Sequence, residues 1–134
     1  KEAASRDGGP QIVGVTVLTS LDEPTLQEIG VTRGITAQVE TLAELAQNAG
    51  IDGVVASPWE IGAIRTRCGQ SLTVVTPGIR QYSSIAPVDD QQRTQNAGEA
   101  IRSGANYLVV GRPIIAAPNP RSAALEISRQ ISQA

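Results

Sequence analysis

Apolar residues follow two alternating rhythms along this chain, and the alternation predicts its elements. Near-continuous apolar runs at Gln11–Leu18, Ile51–Ala56, Ser71–Thr76 and Asn106–Val110 read as strands covered on both faces, the pattern of a parallel sheet. Helical patterns lie between and after them. Asp22-Glu23-Pro24 opens a short acidic helix, with its carboxylates at the positive end of the helix dipole. From Ile35 to Ala49, Val39, Leu42, Leu45 and Ala46 recur at helical spacing and Gly50 supplies the stop. Ser57-Pro58-Trp59-Glu60 reads as a capping box that starts a helix through Arg67, with Ser57 as the cap, at a strand mouth within reach of a substrate, and Trp59 as packing. Asn96-Ala97-Gly98-Glu99 caps another helix that Gly104 ends. Asn119-Pro120 opens the last, whose Ala124, Ile127 and Ile131 share a side.

Strand followed by helix, four times over, predicts an α/β fold with parallel strands. It corresponds to half of a TIM (β/α)8 barrel, which typically takes about 250 residues against the 134 present. Four such strands alone leave two open edges and one bare face, so a complementary half is expected. The chain contains no methionine, and Lys1-Glu2-Ala3-Ala4-Ser5 reads like the tail of a helix already under way. Lys1 is therefore expected to be an internal residue of a longer protein or the product of cleavage.

Two strand ends carry candidate chemistry. Leu72-Thr-Val-Val-Thr-Pro-Gly-Ile-Arg80 and Tyr107-Leu-Val-Val-Gly-Arg-Pro-Ile114 each run from aliphatic residues into a glycine and an arginine. Glycine lets a backbone N–H approach a phosphate oxygen, and arginine presents a planar fork of donors that matches the oxygens. In a barrel, the loops after the last two strands often hold the substrate phosphate. Pro77–Gln91 has few helix or strand signals, as expected of a binding loop or lid.

Composition narrows the choices further. Trp59, Tyr82 and Tyr107 are the only aromatics, so aliphatic residues must fill the core. The net charge is −2 and the arginines are dispersed, which argues against a nucleic-acid partner. No apolar run approaches the roughly 18 residues of a membrane span, so no membrane partner is expected. Cys68 is the only cysteine and histidine is absent, which excludes an intrachain disulfide and a Cys/His catalytic pair; a reducing cytoplasm is the expected setting.

Val15-Thr-Val-Leu-Thr-Ser-Leu21, Gly53-Val-Val-Ala-Ser-Pro58, Val75-Thr-Pro-Gly-Ile-Arg80, Asp89-Asp-Gln-Gln-Arg93 and Val110-Gly-Arg-Pro113 together resemble the C-terminal half of the orotidine 5′-phosphate decarboxylases. These enzymes perform the last step of UMP synthesis. The resemblance implies that Gly111 and Arg112 hold the phosphate, Gly111 through its amide, with Arg80 in the same role and Pro77 near the pyrimidine. It implies that Gln91 bridges phosphate and base, as an amide that can both donate and accept, and that the Thr19 hydroxyl recognises the ring. Ser20 reads as a turn or cap, and Asp89-Asp90 as a solvated pair. The family's chemistry rests on an Asp-x-Lys-x-x-Asp arrangement, in which an ammonium stabilises and then protonates the carbanion without metal or cofactor. Lys1 is the only lysine here, so no catalytic residue is assigned to this chain. The implied partners are orotidine 5′-phosphate or UMP, the N-terminal half of the barrel, and a second subunit in a homodimer that lends one aspartate. One departure is Asn96-Ala97 where the family usually has Thr-Pro, and asparagine caps a helix as well as threonine does. The rival readings are a metal-using sugar-phosphate synthase or decarboxylase of the same barrel suprafamily, and a non-catalytic phosphate-binding fragment.

Overall fold

The computed structural model describes residues 9–79 and 95–134. Lys1, Arg80, Tyr82, Asp89, Asp90 and Gln91, and with them most of the expected lid, lie outside those residues.

Four strands, β1 (Val13–Val15), β2 (Gly53–Val55), β3 (Thr73–Thr76) and β4 (Tyr107–Leu108), form one sheet in the order β1-β2-β3-β4. Every neighbouring pair is parallel, with Val15, Val55, Val75 and Tyr107 aligned in one row across the sheet. The helices are α1 (Glu23–Glu28), α2 (Ile35–Asn48), α3 (Ile61–Cys68), α4 (Ala97–Arg102), α5 (Arg112–Ile115) and α6 (Pro120–Ser132). The expected α/β architecture of four β/α units is therefore present. The strands are shorter than the apolar runs because regular pairing needs a neighbour at each position. Single bonds carry the ladder further: Thr16 N–H donates to the Val55 carbonyl at 3.1 Å, Ala56 N–H to Val75 at 3.1 Å and Val109 N–H to Thr76 at 2.9 Å.

The core lies on the helix side of the sheet. Val54, Ala56 and Val74 are buried with Val39 and Ala43 of α2, Ile61 and Ile64 of α3, and Ala97 and Ala100 of α4. On the opposite face Val13, Val15, Tyr107 and Val109 are between 40% and 59% exposed. That face corresponds to the interior of a barrel.

Helix starts follow the sequence with two adjustments. Asp22 accepts from Thr25 N–H at 3.0 Å, Asn119 accepts from Ser122 N–H at 3.0 Å, and Asn96 with Glu99 forms a reciprocal capping box. Ser57 does act as a cap, but its hydroxyl accepts from Trp59 N–H at 3.3 Å. The cap leads first into a 3-10 turn, Pro58–Glu60, and the α-helix follows from Ile61. Trp59 is 60% exposed, so the expectation that it packs is corrected: the same tight turn buries Pro58 and Glu60 instead. Leu45 also departs, at 59% exposed. At 100° per residue it points about 120° away from Val39, whereas Ala43 lies within about 40° and takes the buried place.

Candidate functional site at the carboxyl ends of the strands

Because all four strands are parallel, their carboxyl ends emerge on one side of the sheet. Thr19, Ser57, Pro77 and Gly111 follow those four ends in turn. Sheet order separates Thr19 from Gly111 by three strand spacings, about 14 Å along the sheet. The expected phosphate loops, in contrast, are adjacent.

Thr19 is half-buried in a turn closed by Leu21 N–H on the Leu18 carbonyl at 3.0 Å. Upstream, the Thr16 hydroxyl donates to the Val55 carbonyl at 2.8 Å and ties this strand end to β2. Pro77 is half-buried and continues directly from β3. Gly78 has a φ of +78°, a left-handed conformation that glycine adopts without a Cβ clash, and it turns the chain toward buried Ile79. Ile79 forms a parallel bridge with Gln95. Ile79 and Gln95, the described residues that flank the segment carrying Arg80 and Gln91, are therefore neighbours beside β3; Arg80 and Gln91 themselves lie outside the described residues.

Gly111 and Arg112 are both exposed at the end of β4. Gly111 has a φ of −109°, and a Cβ placed on it would meet no atom within 4 Å. Among the described residues, neither a left-handed φ nor packing calls for glycine here. What it leaves is an uncrowded backbone beside the first residue of α5, into which Arg112 and Pro113 lead. The Val109 to Thr76 hydrogen bond holds this segment alongside the start of Pro77-Gly78. Two of the expected substrate loops are thus brought together by the β3–β4 pairing, and the expected site residues described in them are Pro77, Gly111 and Arg112.

Two buried polar residues at the same end escaped the sequence reading as site neighbours, Thr76 at 0% exposure and Glu60 at 3%, while Ser57, expected within reach of a substrate, is fully buried. Thr76 Oγ1 has no hydrogen-bond partner among the described residues. The only sequence signal for Thr76 was its place before Pro77-Gly78, because a threonine in a strand reads first as a β-former.

The family model described as orotidine 5′-phosphate decarboxylase / HUMPS matches residues 1–127. The chain belongs to this family. It is 50% identical over 132 residues to the orotidine 5′-phosphate decarboxylase of Syntrophotalea carbinolica, covering 98% of this chain and 53% of that protein. With the decarboxylase of Geotalea daltonii it shares 50% identity over 131 residues, covering 98% and 54% respectively. The crystal structure of the Lactobacillus acidophilus decarboxylase superposes with a TM-score of 0.76 at 31% identity, over 92% of this chain and 50% of that one. The Pyrococcus horikoshii decarboxylase gives a TM-score of 0.62 at 29% identity, over 93% and 52%. The chain spans about half the length of the curated relatives it matches. Its four parallel β/α units are accordingly half of the barrel that these decarboxylase structures share.

Proposed function

We propose that this chain is the C-terminal half of an orotidine 5′-phosphate decarboxylase and supplies the loops that grip the phosphate and the pyrimidine while the ring loses CO2 to give UMP. The observation that carries the reading is the β3–β4 pairing, which sets Gly111-Arg112 beside Pro77-Gly78 at the carboxyl ends of two adjacent strands. An exposed glycine amide and an arginine fork next to each other suit a dianionic phosphate. Arg80 is assigned to the same phosphate, Gln91 to a bridge between phosphate and base, and Thr19 to the ring.

Decarboxylation leaves an electron pair on the ring carbon that lost the carboxylate. A cation must stabilise that pair and a proton must replace the CO2. Arginine is a poor proton donor, and the one lysine is Lys1, remote from the described site in sequence. The resemblance to the family assigns that proton to a lysine set between aspartates, which on this reading belongs to the N-terminal half of the barrel. This half contributes binding energy at the phosphate, remote from the reacting carbon, which holds the ring in place for that lysine. No metal or organic cofactor enters the scheme. A homodimer and a cytoplasmic setting belong to the same reading, with Cys68 as a free buried thiol and, among the described residues, no helix long and apolar enough to cross a membrane.

Mixing this chain with a separately produced N-terminal half and measuring CO2 release from orotidine 5′-phosphate tests the reading. Turnover in the mixture and none in either part is the expected result. Turnover by this chain alone, or none in a mixture shown to have assembled, overturns it.

A further inference from the structure

Arg65 of α3 engages all of its donors at the other end of the sheet. Its Nε and Nη2 donate to the Gly104 carbonyl at 2.9 and 2.7 Å, its Nη1 to the Gly69 and Leu72 carbonyls at 3.0 and 2.7 Å, and its Nη2 also to Asn106 Oδ1 at 2.6 Å. Asn106 in turn brackets Val74 of β3. Its Oδ1 accepts from Val74 N–H at 2.8 Å, and its own N–H donates to the Val74 carbonyl at 2.9 Å. Gly104, at a φ of +108°, leaves room for the guanidinium, since a Cβ there would come within 3.0 Å of Arg65 Cγ and Nε.

This clasp sits immediately before a strand of only two residues, Tyr107–Leu108. Register is strongly specified where one face of a strand is buried and weakly where it is not. Leu108 and Val110 pack against the core on the helix side but are only partly buried, and Tyr107 and Val109 on the other face are 58% and 53% exposed, so apolar packing shares the setting of β4 against β3 with the hydrogen bonds at its start. A slip of one residue would carry Gly111 about 3.3 Å along the strand and reverse the sides of its neighbours.

We propose that Arg65 and Asn106 are positioning residues for the substrate site: they set the register of β4, and through it the reach of Gly111 and Arg112. The proposal rests on the phosphate reading given above. It assigns a role in ligand binding to two side chains at the end of the sheet opposite the candidate site.

UMP affinity of this chain assembled with the N-terminal half, measured by calorimetry at a temperature where circular dichroism shows each variant fully folded, tests it. A clasp that only adds stability leaves the affinity of the folded protein unchanged. Arg65→Ala and Asn106→Leu are expected to weaken UMP by about tenfold, equivalent to about 1.4 kcal/mol and near the low end for one lost hydrogen bond to a charged group. Asn106→Asp keeps an acceptor oxygen facing Arg65 and Val74 N–H and is expected to stay within about twofold of the parent. If Arg65→Ala does not fold, Arg65→Lys makes the same comparison, because lysine keeps the charge but not the fork. Arg112→Ala is the control. Lost binding in Arg112→Ala with parental affinity in the folded clasp variants overturns the positioning role and leaves the phosphate site standing. Unchanged affinity in Arg112→Ala, or no UMP binding by the parent assembly, overturns the phosphate site and the clasp's role with it.

Discussion

At Gly53 a single hydrogen in place of a side chain lets β2 and β3 approach: a Cβ there would lie 2.5 Å from the Thr73 carbonyl oxygen and 2.7 Å from Thr73 Cβ. Backbone atoms cannot swing aside as a flexible side chain can. Gly53→Ala is expected to destabilise the fold by about 1–3 kcal/mol through this overpacking, read from urea unfolding; unchanged stability would mean that the strands can separate at no cost. Arg112 belongs to the same scale. In the complete enzyme, Arg112→Ala is expected to cost UMP more than the roughly 1.5–3 kcal/mol of a charge-assisted hydrogen bond, because a desolvated phosphate also loses its partner. Equilibrium titration of the variant checks this, and parental affinity would place the phosphate elsewhere. Gly53 and Arg112 were both visible as letters in the sequence, yet only Arg112 announced a role. Gly53 closes a distance between strands that are remote along the chain, and no local pattern encodes that.

Caps and termini decide the helices. Asn96 accepts from Glu99 N–H at 2.9 Å while Glu99 Oε2 accepts from Asn96 N–H at 3.3 Å, so two otherwise orphaned donors are satisfied at the start of α4. Asn96→Ala is expected to cost about 1 kcal/mol in thermal or urea unfolding, and no loss would show that the box is not formed in solution. At α1 the Asp22 carboxyl is held below its ordinary pKa, first by the Thr25 hydroxyl and then by Thr25 N–H. A carboxyl depressed in the folded state stabilises above the unfolded pKa and loses that contribution as pH falls through the folded one. The stability difference between the parent and Asp22→Asn, whose cap does not titrate, should therefore shrink as pH drops below roughly 4. Unfolding curves at neutral and acid pH report it, and a constant difference would remove Asp22 from the pH response. These elements were legible because capping chemistry is local. The exposed place of Leu45 was less so, since four apolar positions can be read onto one stripe before neighbours show which of them is covered.

At the scale of the whole molecule, the sheet is covered on one face and open on the other. Val13, Val15, Tyr107 and Val109 are exposed on the open face, and β1 and β4 end the sheet as edge strands among the described residues. Unpaired edges and contiguous apolar surface favour association. The chain on its own is expected to run as oligomers or aggregates in light scattering and to show no decarboxylase turnover. A monodisperse monomer that unfolds cooperatively would count against an incomplete barrel.

What the sequence by itself determined was the succession of strands and helices, their caps, and the two glycine-arginine endings, because each depends on residues a few positions apart. Apolar runs longer than the paired segments marked where strands lie but not how far their ladders extend, since pairing requires a partner from another part of the chain. Parallel neighbouring strands were expected, but tertiary structure alone decided their alignment, Val75 against Tyr107, which sets the two separated motifs Pro77-Gly78 and Gly111-Arg112 in one neighbourhood. It also decided the register of β4, where Arg65 reaches 41 residues along the chain to Asn106. The physical reason is the same in both cases: hydrogen bonds between distant segments form only after the chain has closed on itself, and local patterns carry no record of which partner is found.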